Sequence, residues 1–161
     1  MLRATKASIW NRNYRIFSEE RLLATWNKSF WKGGGAFELE GLRFTVHANM
    51  WGTKHALTGA DGTAIASAER VGRKHWTVAA DGQTFEFRRA SWWRREEELI
   101  ADKHRVGSVK QTSLWRNNVV ADLPGFPLPV QIFTLVVVLT MWEAADAAAG
   151  VVAGGTVAAS G

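Results

Sequence analysis

Residues Leu128–Trp142 read LPVQIFTLVVVLTMW and carry no charged side chain. At 100° per residue, Val130, Ile132, Phe133, Leu135, Val136, Val138, Leu139 and Met141 cover the whole circumference of a helix. No polar stripe remains to face water, so such a helix has to be enclosed by protein or by lipid. Burial of each side chain stabilises by roughly 1.5–3 kcal/mol. The eight together contribute on the order of 12–24 kcal/mol before chain entropy is subtracted. The three consecutive valines favour a strand. Length argues otherwise, and Met141-Trp142-Glu143-Ala144-Ala145 continues in good helix formers. The sequence therefore predicts a helix from about Leu128 to Ala149. Pro127 or Pro129 suits its first turn and Gly150 its stop. Residues 150–161 are small and glycine-rich, which predicts a loose tail.

The residues before this helix are divided by turn signals at short, regular intervals. Strand-like segments run over 13–18, 21–27, 36–40, 42–48, 53–58, 63–71, 73–79, 83–88, 92–101, 104–112 and 114–123. The alternation is clear in Leu42–Ala48, where Leu42, Phe44 and Val46 interleave with Arg43, Thr45 and His47. Asp61-Gly62 and Asp81-Gly82 mark hairpin turns, because Asp-Gly supplies the positive φ that such turns require. Glu96-Glu97-Glu98 favours helix locally and makes its segment the least regular. Spacing of this kind points to a meandering barrel or a sandwich. A bilayer-spanning final helix is the alternative. The charge-free stretch reaches the necessary ~20 residues only by reaching back to Leu123, through three prolines and a glycine. A β-barrel with the helix along its axis matches better.

A chain of 161 residues fits one domain and can bury a large core without disulfides. Cysteine is absent, which excludes thiolate chemistry and is compatible with a reducing cytosol. The N-terminus has early positive charge but no apolar stretch of signal-peptide length, so a cytoplasmic location is expected. Net charge is +5, a balance that attracts nucleic acid, anionic lipid or acidic proteins. The nine tryptophans are spread along the chain, and most are expected in the core. Trp92 and Trp93 differ, because adjacent strand residues face opposite ways.

Two basic groups are candidates for anion binding. Arg70, Arg73, Lys74 and His75 flank Gly72 at an expected hairpin tip. Arg88, Arg89, Arg94 and Arg95 bracket Ala90-Ser91-Trp92-Trp93, and Trp93 is counted with them. Arginine forms bidentate bonds to phosphate, and tryptophan favours the lipid interface. The competing reading is a solvated strand face neutralised by Glu69 and by Glu96–Glu98. Arg3, Lys6, Arg12, Arg15 and Arg21 form a less specific basic arm. No catalytic pattern stands out. His47, His55, His75 and His104 are scattered singly, without zinc-type spacing. Gly33-Gly34-Gly35 lacks the Lys-Ser or Lys-Thr of a phosphate loop, and no Gly-x-Ser-x-Gly elbow occurs. Neither a cofactor nor a metal is expected, and a binding module is favoured over an enzyme.

The hairpin segments Thr58–Ala66 (TGADGTAIA) and His75–Phe87 (HWTVAADGQTFEF), followed by the proline-bounded helix Pro127–Ala149, resemble the tubby-like C-terminal superfamily. That group includes the phospholipid scramblases, the LURP-one-related proteins and small bacterial relatives. The resemblance is one of pattern and order and covers about residues 10–149. It implies a mainly β fold, a closed antiparallel barrel of about twelve strands around a hydrophobic C-terminal helix. It also implies docking to phosphoinositides or other anionic phospholipids, peripheral to a membrane. The scramblases' calcium segment needs several carboxylates, and Asn117–Asp122 offers a single acid, too few oxygens for calcium. A protein- or nucleic-acid-binding adaptor, and a scramblase-like anchored protein, are the alternatives.

Overall fold

In the computed structural model, twelve strands form one closed antiparallel barrel around a single helix. Residues 1–7, 13–28, 34–91, 94–113 and 118–160 are described, with helix side chains described as far as Gly150. In chain order the strands are β1 (Leu2–Lys6), β2 (Tyr14–Ser18), β3 (Arg21–Lys28), β4 (Gly35–Leu39), β5 (Leu42–Ala48), β6 (His55–Thr58), β7 (Ala64–Glu69), β8 (His75–Ala80), β9 (Gln83–Ser91), β10 (Glu96–Ala101), β11 (His104–Ser113) and β12 (Asn118–Asp122). Helix α1 (Leu128–Ser160) follows. Each strand pairs with its sequence neighbours, and β1 closes the ring on β12 through Leu2↔Ala121, Arg3↔Val120 and Ala4↔Val119.

The sequence reading missed β1. Arg3 and Lys6, taken as part of a basic arm, belong to the closing strand instead. Leu2 and Ala4 point into the core, while Arg3 lies over the Phe17 ring at 5.1 Å. Gly150 does not end the helix, which runs on to Ser160. One glycine costs a helix only about 1 kcal/mol, and alanine and valine flank this one. Glu96–Glu98 lie in strand β10, because pairing on both sides overrides a weak helical preference.

The turns are where the sequence placed them. Asp81 and Gly82, at φ 51° and 72°, join β8 to β9 as a two-residue turn of the type that matches strand twist. Glu40-Gly41 and Asp102-Lys103 do the same between β4 and β5 and between β10 and β11.

Inside the barrel, Ile132, Phe133, Leu135, Val136, Val137 and Val138 are fully buried. The Thr134 hydroxyl is enclosed with them and donates to the Val130 carbonyl at 2.9 Å, so its polarity is satisfied within the helix. The helix packs most extensively on β7, then on β1 and β6. These walls present the small Ala66, Ala68 and Ala4 inward. Bulk elsewhere comes from cross-strand aromatic stacks, Trp76 on Phe87 at 4.5 Å and Phe37 on Phe44 at 5.2 Å. By length and composition, Leu128–Gly150 could cross a membrane, yet 61% of its most apolar window is buried in the barrel.

The two rims differ. The start rim, where α1 begins, carries the turns at 19–20, 40–41, 59–63, 81–82 and 102–103. Phe126 packs there on Phe85 and Phe87, and Pro127 accepts the first helical N–H bonds from Val130 and Gln131. The exit rim, where the helix leaves, carries the connections after β1, β3, β5, β7, β9 and β11.

Candidate functional site

Both basic groups singled out from sequence fall on the exit rim. The β7–β8 turn holds Arg70, Val71, Gly72, Arg73 and Lys74 in a tight bend, with Gly72 at φ 91° and the Arg73 N–H donating to the Arg70 carbonyl at 3.1 Å. Arg70, Arg73 and Lys74 are exposed, and Val71 is buried beneath them as the anchor. The Arg89 N–H donates to the Lys74 carbonyl at 2.9 Å, which ties this turn to the second group. His75, also exposed, pairs across to Arg88.

The second group divides. Arg88 is bound by Glu98 at 2.8 Å on the outer face. Arg89 reaches Glu97 at 3.2 Å, and Arg95 is paired to Asp146 of the emerging helix. All three arginines are paired, two of them with Glu97 and Glu98 of the acidic run that the competing sequence reading named. Arg94 remains exposed, and its backbone N–H is held by the Ser91 hydroxyl at 3.2 Å. Among the described residues, Arg70, Arg73, Lys74 and Arg94 have no ion pair. Trp93 and Trp92 lie outside the described residues. Of the arm residues, Arg12 also lies outside them, and Arg15 and Arg21 sit on β2 and β3.

A neighbouring feature escaped the sequence reading. The β5–β6 connection, residues 49–54, stands beside the basic turn, joined to it by the Val71 N–H donating to the Thr53 carbonyl at 3.0 Å. Lys54 lies on it, 3.8 Å from Glu69 with both side chains well exposed, a pair of little energetic weight. The connections 49–54, 70–74 and 94–95 contain six basic residues, Lys54, Arg70, Arg73, Lys74, Arg94 and Arg95, and no acid. The start-rim turns have the opposite sign, with Glu19, Glu20, Glu40, Asp61, Asp81 and Asp102 set against Lys103. The barrel is therefore electrically polar along its axis.

The helix is fastened where it leaves. Lys28 bonds Glu143 at 2.8 Å, and Arg95 holds Asp146. Burial, followed by the adjacent Glu143, pushes the Tyr14 phenol up to about 12. Beyond this clamp, Ala144–Gly150 are exposed.

His55 is the one buried histidine among those described, and neither ring nitrogen has a partner. Glu97 is fully buried, but its oxygens are taken by Trp76 and Arg89. Among the described residues, no group of three His, Asp or Glu side chains could hold a metal ion. A cavity of about 810 Å³ opens between β3 and β4, which pair only through Asn27↔Ala36 and Lys28↔Gly35. Leu23, Phe37, Glu38, Arg43 and His47 are among the residues that line it.

No family model, curated protein or solved structure matches the chain.

Proposed function

We propose that this protein is a non-catalytic module that docks its exit rim on an anionic phospholipid surface. The carrying observation is the set of four exposed cations, Arg70, Arg73, Lys74 and Arg94, on one end of a barrel whose opposite turns are acidic. A polar barrel orients in the field of a charged surface before contact, with its basic end leading. The guanidinium groups then meet phosphate oxygens with paired hydrogen bonds. The pattern resemblance to the tubby-like superfamily, some of whose members dock anionic lipids, supports the same reading.

Co-sedimentation with phosphatidylcholine vesicles, with and without phosphatidylserine or a phosphoinositide, tests it over a salt series. Binding is expected to anionic vesicles at low salt and to weaken as salt rises. Each cation at such a surface contributes about 1 kcal/mol. The triple variant R70A/R73A/K74A therefore binds more weakly by on the order of a hundredfold. Equal binding to neutral and anionic vesicles would overturn the reading. So would a shift of duplex DNA at salt concentrations where vesicles are ignored.

A further inference from the structure

The connection between β5 and β6 is built around Asn49. Its side-chain oxygen accepts the N–H groups of Thr53 at 2.9 Å and Lys54 at 3.0 Å, and its amide nitrogen donates to the Thr53 hydroxyl at 2.9 Å. The backbone closes the same loop through Asn49 N–H to the Lys54 carbonyl and Gly52 N–H to the Asn49 carbonyl, with Gly52 at φ 69°. At the tip of this closed loop stand Met50 and Trp51, 88% and 81% exposed. Two adjacent large apolar side chains held in water on a fixed tip contribute nothing to the core. The hydrogen-bonded loop fixes the backbone that carries them, which lowers the entropy lost when they insert into another phase.

We propose that Met50 and Trp51 form a wedge that inserts into the interfacial layer of an anionic bilayer, so that the barrel docks end-on with the helix exit facing the membrane. This inference rests on the docking reading above and adds the pose and the apolar half of the site. The tip is bonded to the Arg70–Lys74 turn through Val71 and Thr53 and carries Lys54 on its own flank, so apolar and cationic groups form one surface. An indole with an apolar body and a polar N–H is matched to the headgroup boundary. The exposed Ala144–Gly150 stretch leaves through the same rim, with its one acid, Asp146, neutralised by Arg95. The other exposed large apolar side chains, Met1, Leu22, Leu42 and Val106, lie toward the start rim, whose turns carry six acids against Lys103 and so repel anionic headgroups. Charge thus assigns the bilayer to the exit rim.

The test compares the full chain with M50S/W51S and with N49A on phosphatidylcholine vesicles containing phosphatidylserine, at low salt and at salt high enough to screen charge. The wild type is expected to retain part of its binding at high salt, because apolar insertion is insensitive to screening. The M50S/W51S protein keeps its low-salt binding but loses roughly tenfold at high salt. N49A loses the same salt-resistant part with both apolar side chains still present, which separates a positioned wedge from mere apolar content. Unchanged unfolding midpoints of M50S/W51S exclude misfolding, since both side chains are exposed. If wild type docks at low salt but is fully released at high salt, or if M50S/W51S keeps the wild-type salt resistance, the wedge is overturned and the electrostatic docking stands. If wild type shows no preference for phosphatidylserine even at low salt, both fail.

Discussion

The indole N–H of Trp76 donates to the carboxylate of Glu97 across the barrel interior, at 3.2 Å. The other Glu97 oxygen accepts from Arg89 Nε at 3.2 Å, and Arg89 also reaches the Met141 sulfur on the helix at 3.8 Å. Three strands and the core helix therefore meet through one buried acid. Burial pushes the Glu97 carboxyl up, against the pull of Trp76 and Arg89. Removing the acid leaves the buried indole N–H without its acceptor and takes the carboxylate away from Arg89. Glu97→Ala is expected to cost about 3–5 kcal/mol in urea unfolding. Trp76→Phe, which deletes one donor and keeps a ring, costs about 1–3 kcal/mol. Glu97→Gln, still able to accept from Trp76, falls between them. Equal stabilities for Glu97→Ala and wild type would contradict this account.

His55 gives the fold a defined acid sensitivity. Burial lowers its pKa from 6.5 to about 4, so the native state holds it neutral while the unfolded chain binds a proton. Stability from this residue is whole above pH 6.5 and falls as pH drops from 6.5 to about 4. The loss reaches about 3 kcal/mol. Glu97, with a raised native pKa, acts in the opposite sense and gains stability as pH falls. The difference between wild type and His55→Leu isolates the histidine. That difference should shift toward the variant by about 3 kcal/mol across the interval, measured by denaturant unfolding at each pH. A pH-independent difference would show that residue 55 does not titrate this way.

The helix is the filling of the barrel, so the wall cannot stand alone. A chain ending at Leu123 keeps every strand but loses the fully buried Ile132–Val138 stretch. It is expected to be unfolded or aggregated, without the near-ultraviolet signal of the packed tryptophans. A soluble remainder with native circular dichroism would mean that the helix is an anchor rather than a core.

Much of this architecture was readable from residue order. The helix declared itself because no face of Val130–Met141 is polar, and the hairpins because Asp81-Gly82 and Glu40-Gly41 place turn residues between alternating runs. β1 was hidden because only Leu2 and Ala4 are apolar in a short basic segment, and its register depends on β12, more than a hundred residues away. The same distance effect limited the site. The Arg70–Lys74 tip was legible from Gly72, a local signal. Glu96–Glu98 were legible as neighbours of Arg88 and Arg89, whereas the partner of Arg95 is Asp146 on α1, which only the fold brings near. Met50-Trp51 had a local signal, bulky residues between Asn49 and Gly52. That signal is ambiguous, because a tryptophan between strands packs into a core as readily as it stands in water.

Closure of the ring by Leu2 on Ala121 has a consequence for biosynthesis. Of the twelve barrel strands, the first made waits for the last, and the helix that fills the interior is made after both. Until the helix has been made, two sheet edges and a hydrophobic lining stay open to neighbours in a polysome, the circumstance in which nascent chains recruit chaperones.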